Sequence, residues 1–217
     1  MNPHPQLALD LLQPAAPTLS NFVVGRNAEA LATLRCLGDG SERIVYLWGE
    51  AGCGRSHLLQ ALAANAGATW WHAGAPADRP GICLVDDVEQ LDGPAQVALF
   101  NRINAIRARA DAACVATGSL PPARLPLRED LRTRLGWGLV YQLQPLADDE
   151  KVAALRSQAA VRGLALGDEV ANYLLHHLPR DMRTLAAALD ALDSLALAQK
   201  RALTLPLVRQ WLAGDET

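Results

Sequence analysis

The stretch LWGEAGCGRSHLLQA, residues 47–61, decides how the rest of the chain is read. A phosphate-binding loop runs G-x-x-x-x-G-K-[ST]. Gly49, Gly54 and Ser56 fall on that pattern, and Arg55 stands in the lysine position. The residues just before it, Ile44–Trp48, form an apolar strand-like run, and an apolar-periodic helix opens at Ser56, so the loop has the strand-to-helix setting the motif needs. Gly49, Gly52 and Gly54 let backbone N–H groups turn toward phosphate oxygens, and the helix N-terminus adds the positive end of its dipole. Ser56 would place a hydroxyl on a magnesium ion. Arg55 keeps the charge and changes the geometry. Lysine is a compact point charge on a flexible stem that can follow a phosphate through reaction, whereas a guanidinium is a planar fork suited to gripping a static one. Binding is expected to survive this exchange better than turnover.

Working outward, short apolar runs at 44–48, 69–72, 82–85, 114–117 and 139–142 alternate with amphipathic segments. That alternation predicts an α/β fold with a five-stranded parallel sheet covered by helices. After Pro145 no strand returns: 148–162, 168–178, 182–200 and 205–212 all carry helical periodicity. Asp148, Asp168 and Thr204 sit where N-caps belong, Gly163 follows the first of these helices, and Pro206 lies in the first turn of the last. The expected organisation is a tail over 1–19, a nucleotide-binding α/β domain over 20–145 with order beginning near Phe22, and a small all-helical domain over 146–217.

The chain is 217 residues long and half hydrophobic, enough for one full core and a smaller second one. A net charge of -3 supplies no field to draw in a polyanion, so nucleic acid is not expected as the main direct partner. Cys36, Cys53, Cys83 and Cys114 form no C-x-x-C pair, and two of them lie in strand-like runs, which fits reduced thiols and a cytoplasmic protein. The only apolar run of the tail is short and broken by Asp10, so neither a signal peptide nor a membrane span is expected. His57, His176 and His177 show no metal-ligand spacing, and the five tryptophans, Trp70, Trp71 and Trp137 among them, read as core and edge packing.

Two further segments belong with the loop. ICLVDDVEQL, residues 82–91, is a buried strand ending in two carboxylates. At the C-terminal edge of a parallel sheet, Asp86 is the natural magnesium-anchoring acid, and Asp87 takes the place of a water-orienting one. CVATGSLPPARL, residues 114–125, puts Thr117 and Ser119 at the same edge, where their hydroxyls are expected to sense a terminal phosphate.

These motifs, in this order and followed by a helical lid, resemble an AAA+ P-loop ATPase. NFVVGRNAEAL ahead of the first strand resembles the adenine-contacting segment of the DnaA replication initiators, with Phe22, Val23, Val24, Gly25 and Asn27 matching. GRSHLLQA, LRTRLGWGLVYQLQPL and RDMRTL resemble more closely the DnaA-related Hda family, which also carries arginine in the loop and a leading Q-L-x-L tail. The resemblance implies a factor that holds ADP (or ATP) with Mg, docks on the DNA-loaded sliding clamp of DNA polymerase III, meets DNA mainly through that clamp, and makes DnaA hydrolyse its ATP. It places nucleotide contacts on the segments already named, Cys53 and His57 of the loop included.

Arg128, Arg132 and Arg134 lie on an expected short helix. From the residues alone, the plainer reading is a solvated basic face pairing with Glu129 and Asp130; the resemblance makes Arg134 the match for an arginine finger that works in a neighbour's site. It also makes Arg183 the match for a second sensor reaching from the lid to the nucleotide phosphates. QLALDL, residues 6–11, resembles a clamp-binding peptide, in which Gln6 would bond at a pocket rim while Leu7, Leu9 and Leu11 supply apolar contacts; Asp10 and Leu11 depart from the family's Leu-Pro-Leu ending. The alternative is a free-standing AAA+ ATPase of helicase-loader or clamp-loader type, which would turn over ATP unaided. An initiator that binds DNA itself is disfavoured, since no helix-turn-helix segment or basic stretch follows the lid. Self-association is left open.

Overall fold

The structure, a computed structural model, describes residues 16–37, 42–64 and 67–214. Gln6, Leu7, Leu9 and Leu11 lie outside the described residues. The chain divides into two compact units, which meet between Pro145 and Leu146 in sequence.

The first unit is an α/β layer structure. Helix α1 (Ala28–Arg35) precedes β1 (Ile44–Trp48); α2 (Arg55–Ala63), β2 (Ala68–Trp70), β3 (Gly81–Val85), α3 (Gly93–Arg107), β4 (Ala112–Gly118), α4 (Glu129–Leu135) and β5 (Leu139–Gln142) follow. The five strands are parallel and ordered β2-β3-β4-β1-β5. Strand β1 is apolar at every position because both of its faces are covered. Val45 and Leu47 join one core with Leu58, Leu59, Leu84 and Val115, and Ile44 and Tyr46 join the other with Leu99, Ile103, Leu131 and Leu135. β1 lies between β4 and β5, so the strand order reverses beside it and a crevice opens at its C-terminal end.

Order reaches further toward the N-terminus than Phe22. Thr18 N donates to Asn21 Oδ1 at 2.8 Å, Arg35 Nη2 donates to the Leu19 carbonyl at 3.3 Å, and Leu19 packs against the core. These residues need partners on α1 that local sequence does not announce.

The second unit holds α5 (Asp148–Val161), α6 (Asp168–His177), α7 (Met182–Gln199) and α8 (Leu205–Ala213). Leu185, Ala188, Leu189, Leu192 and Ala196 form the buried stripe of α7 and share one core with Leu155, Ala159, Leu174, Leu207 and Val208. Asp148 and Asp168 are not the N-caps: Ala147 and Gly167 hold that place, and each aspartate is the first helical residue. There they favour the helix dipole and take ion-pair partners, Lys151 and Arg180 for Asp148 and Arg156 for Asp168. Thr204 is an N-cap by position, but its side chain makes no capping bond. Helix α5 closes with Gly163 N donating to Ala160 O at 3.0 Å and Leu164 N to Ala159 O at 2.9 Å, the bond pair of a Schellman end. Among the described residues no helix is long and apolar enough to cross a membrane.

Gly138, just before β5, lies so close to β1 that a Cβ there would overlap the backbone carbonyl of Ile44. Gly136, two residues earlier, has no atom nearer than 3.6 Å to such a carbon. Gly138→Ala is therefore expected to destabilise the protein by about 1–3 kcal/mol, read as a lowered thermal midpoint, while Gly136→Ala leaves it nearly unchanged.

Candidate nucleotide site

The loop that leaves β1 is shaped by close approach. A Cβ at Gly49 would stand 2.5 Å from the Leu143 carbonyl, and Leu143 N in turn donates to Trp48 O at 2.7 Å, so the exits of β1 and β5 hold the loop's first residue. Gly52 and Gly54 have φ of +80° and +104°, a region in which an L side chain is strained. Gly54 is also covered by Phe22, whose Cε2 would sit 2.6 Å from an added Cβ. Gly54 is the N-cap of α2, no side chain caps that helix, and its first turn has no acid. Its leading N–H groups and dipole thus face the crevice uncompensated, which suits an anion. Ser56 is exposed on the first turn, Cys53 is buried beneath the loop, and His57 Nε2 lies 3.1 Å from the Thr18 carbonyl.

Arg55 turns toward the second acid of β3's exit. Its Nη1 lies 3.3 Å from Asp87 Oδ1, yet that nitrogen is buried with no aligned hydrogen bond. Burial, then the charge of Asp86, push the Asp87 carboxyl up, and this poorly aligned guanidinium does not offset them. A phosphate oxygen would give Arg55 the partner it lacks.

The register of β3 with β4, Val85 beside Ala116, brings Asp86 to Thr117. Thr117 Oγ1 donates to Asp86 Oδ1 at 2.5 Å and accepts from Asp87 N at 3.0 Å. Thr117 is fully buried, so the expectation that its hydroxyl meets a phosphate is not met: it is spent on orienting the acids. Asp86 Oδ2 makes no hydrogen bond among the described residues. Ser119 is exposed, and its N–H donates to Glu89 Oε1 at 2.8 Å.

In the segment before α1, Val23 and Val24 are half-buried, and Gly25, with φ of +47°, shapes the turn closed by Asn27 N donating to Val24 O at 2.8 Å. Asn27 is buried and pairs reciprocally with Gln144, its Nδ2 donating to the Gln144 carbonyl at 2.9 Å and its Oδ1 accepting from Gln144 N at 2.8 Å. Its amide fastens the segment to the end of β5, with one N–H and one lone pair spent on that pairing.

Arg134, on the last turn of α4, is held without a carboxylate. Its Nε donates to Asn104 Oδ1 at 2.6 Å, its Cζ stands 3.3 Å from the centre of the Trp137 ring, and Phe100 lies 5.2 Å away. A second guanidinium, Arg107, is 4.2 Å from the same ring. The basic-face reading holds for one neighbour only: Arg128 pairs with Asp130 at 2.8 Å, and Arg134 enters no ion pair among the described residues. In the second unit Arg183 is exposed near the start of α7; Asp181, beside it, is engaged as N-cap, accepting from Thr184 N at 2.8 Å.

Residues 148–212 match the family described as Hda, lid domain. The fold as a whole is similar to domain III of the Thermotoga maritima replication initiation protein DnaA, at a TM-score of 0.67 and 21% identity over 92% of this chain and 97% of that one. The Hda lid-domain pattern thus falls on the second unit, and the chain as a whole has the fold of DnaA domain III. It is also similar to AMPPCP-bound DnaA from Aquifex aeolicus, with a TM-score of 0.66, 22% identity and 86% and 67% of the two chains covered. A Thermotoga maritima RuvB variant follows, with a TM-score of 0.63, 15% identity and 90% and 71% covered.

Three residues of this unit, Glu89, Tyr46 and Asn104, went unnoticed in the sequence, and a fourth, Trp137, was misassigned. Glu89 bridges to Ser119, and Tyr46 donates from its hydroxyl to the Leu120 carbonyl at 2.8 Å behind Gly118. Burial raises the Glu89 carboxyl, but hydrogen bonds from Ser119 and the charge of Arg55 outweigh it, and the net shift is downward. Burial, and then Glu89, push the Tyr46 phenol well up. The only signal for Glu89 was its place three residues after Asp86. Asn104 is one polar residue on an amphipathic helix. Trp137, assigned to packing, instead carries two guanidinia.

Thr117→Val keeps the shape of the side chain and strands the Asp87 N–H and Asp86 Oδ1 together. A loss of about 1–3 kcal/mol is expected in urea unfolding, against a smaller one for Thr117→Ser, which keeps the hydroxyl.

Proposed function

We propose that this protein is a negative regulator of replication initiation, which keeps an adenine nucleotide as a conformational latch and lends Arg134 to ATP held by DnaA. The observation that carries this reading is the state of Arg134: ordered, unpaired with any carboxylate among the described residues, and with Nε occupied so that its two terminal nitrogens remain for a phosphoryl group. A guanidinium in that role stabilises charge that develops on a transferring phosphoryl group.

Within the protein's own site, Gly49, Gly52, Gly54 and the start of α2 hold nucleotide phosphates, Arg55 grips them, and Ser56 and Asp86 hold Mg. When bound, that ion neutralises phosphate charge. Phe22, Val23, Val24 and Gly25 wall the base side. Arg55 and Asp87 favour ADP retention over brisk hydrolysis: the arginine cannot follow a phosphoryl group as lysine does, and Asp87 is shorter than the glutamate that would reach an attacking water. Arg183 reports nucleotide state from the lid. Gln6, Leu7, Leu9 and Leu11 dock on the sliding clamp, which brings DNA close. The lid match supports the Hda-like assignment, and the likeness to AMPPCP-bound DnaA supports an adenine nucleotide in the loop.

Phosphate release from ATP-bound DnaA tests this, with the protein, the clamp and DNA each left out in turn. Strong stimulation is expected only with all three present, and Arg134→Ala, while still binding ADP, is expected to lose about 10³-fold in rate. Brisk ATP turnover by the protein alone, with DnaA's ATP untouched, would identify the free-standing ATPase instead. Stimulation without the clamp would remove the role given to Gln6–Leu11.

A further inference from the structure

Trp137, like Trp70, stands outside the hydrophobic clusters of its unit. It is 41% exposed and borders a surface cavity of about 540 Å³ shared with Arg43, Arg107 and Gly138. Core packing therefore does not account for it. What it does touch is charge, with Arg134 Cζ 3.3 Å and Arg107 Cζ 4.2 Å from its ring centre.

The backbone places it there. Trp137 N donates to the Arg134 carbonyl at 3.2 Å, which turns the chain back at the end of α4 and sets the ring beside the guanidinium three residues earlier. Gly138, pressed on the Ile44 backbone, then fixes where β5 begins, so the single residue between turn and strand has little freedom to move. The indole face and the Asn104 amide hold the guanidinium from different groups: the ring contacts its plane, and the amide takes Nε. Neither contact neutralises the charge or uses Nη1 or Nη2.

We propose that Trp137 is a positioning residue for Arg134, a flat mooring that fixes the direction of the guanidinium while leaving its charge and terminal nitrogens for a phosphate on another molecule. The inference rests on the function proposed for Arg134. Arg107, drawn to the same ring, adds a second positive charge to a surface whose cavity Glu42 also lines.

The test uses the full-length protein with ATP-bound DnaA and clamp-loaded DNA, and separates maximal rate from the concentration giving half-maximal stimulation. Trp137→Leu is expected to lower the maximal rate about 10- to 100-fold, as misplacement of a catalytic group does, with the half-maximal concentration, ADP affinity and thermal midpoint unchanged. Trp137→Phe, which retains a π face, is expected to recover most of that rate, and Trp137→Gln, flat but without one, is not. Full activity in Trp137→Leu, equal loss in the Phe and Leu variants, or a change confined to the half-maximal concentration would overturn the positioning role. Where the Leu variant does not fold, the comparison of Phe with Gln decides in the same way. Full stimulation by Arg134→Ala sinks the proposed function itself, an outcome that the Trp137 variants do not mimic.

Discussion

One buried hydroxyl ties the carboxyl edge of the sheet together. Thr117 Oγ1 gives its proton to Asp86 and receives the N–H of Asp87, so the ends of β3 and β4 are joined by a side chain one step beyond their last paired residues, Val85 and Ala116. Asp87 takes φ of +44° and ψ of +63°, a left-handed conformation that costs an aspartate about 1–2 kcal/mol, and its bond to Thr117 helps offset that. The turn it creates leads into the short helix Val88–Gln90 and carries Glu89 back to Ser119 N, a second bridge between the same two strand exits. Gly118 lies between the bridges, with the Tyr46 hydroxyl where a Cβ would otherwise go. The positions of Asp86 and Asp87 in the crevice follow from this arrangement.

Three arginines of the α/β unit show how the partner decides what a guanidinium does. Arg102 is 3% exposed and donates to the carbonyls of Ala77, Arg79 and Gly81; engaged chiefly with backbone, it holds the segment before β3 and is structural. Arg55 has a carboxylate nearby and no aligned bond to it, a state that an incoming anion improves. Arg134 has an amide and aromatic faces, which order it and leave its charge intact. Formal charge is the same in all three; burial and the geometry of the acceptor separate a fastener, a gripping group and one that can act outward.

The parallel sheet, the glycine loop and the helical unit were legible because each writes a local period or a spacing into the chain: the apolar run of β1, Gly49 to Ser56, the α7 stripe at 185, 188, 189 and 192. Strand ends were less so. β4 runs from Ala112 to Gly118, longer than its apolar core, because ladder bonds continue through small residues that carry no pattern. The role of Thr117 was misjudged because a threonine at a strand end reads the same whether its hydroxyl faces ligand or the neighbouring strand; only the β3–β4 register decides. Asn27 posed the same difficulty, since its partner Gln144 lies 117 positions away. Trp137 was opaque for a related reason: its partners Arg107 and Arg134 are brought to it by α3 and α4, and indole is as common in cores as beside cations.

An arginine that acts on another molecule, the role proposed for Arg134, faces two opposed demands, and the surroundings of Arg134 would meet both. Left in solvent it would keep its charge, but a long side chain ordered only at the moment of reaction loses up to about 2 kcal/mol of rotamer freedom then. Paired with a carboxylate in a half-buried setting it would be ordered, but withdrawing it would leave an uncompensated acid, a penalty of about 3–5 kcal/mol where the pair is dry. A cation–π contact is worth about 0.5–2 kcal/mol, comparable to the freedom that must be removed and well below the penalty of a broken ion pair. The charge is then already oriented and still unneutralised when a phosphate presents itself. Trp137 and Asn104 supply such a contact and one neutral acceptor, each through a group that leaves the terminal nitrogens of Arg134 untouched.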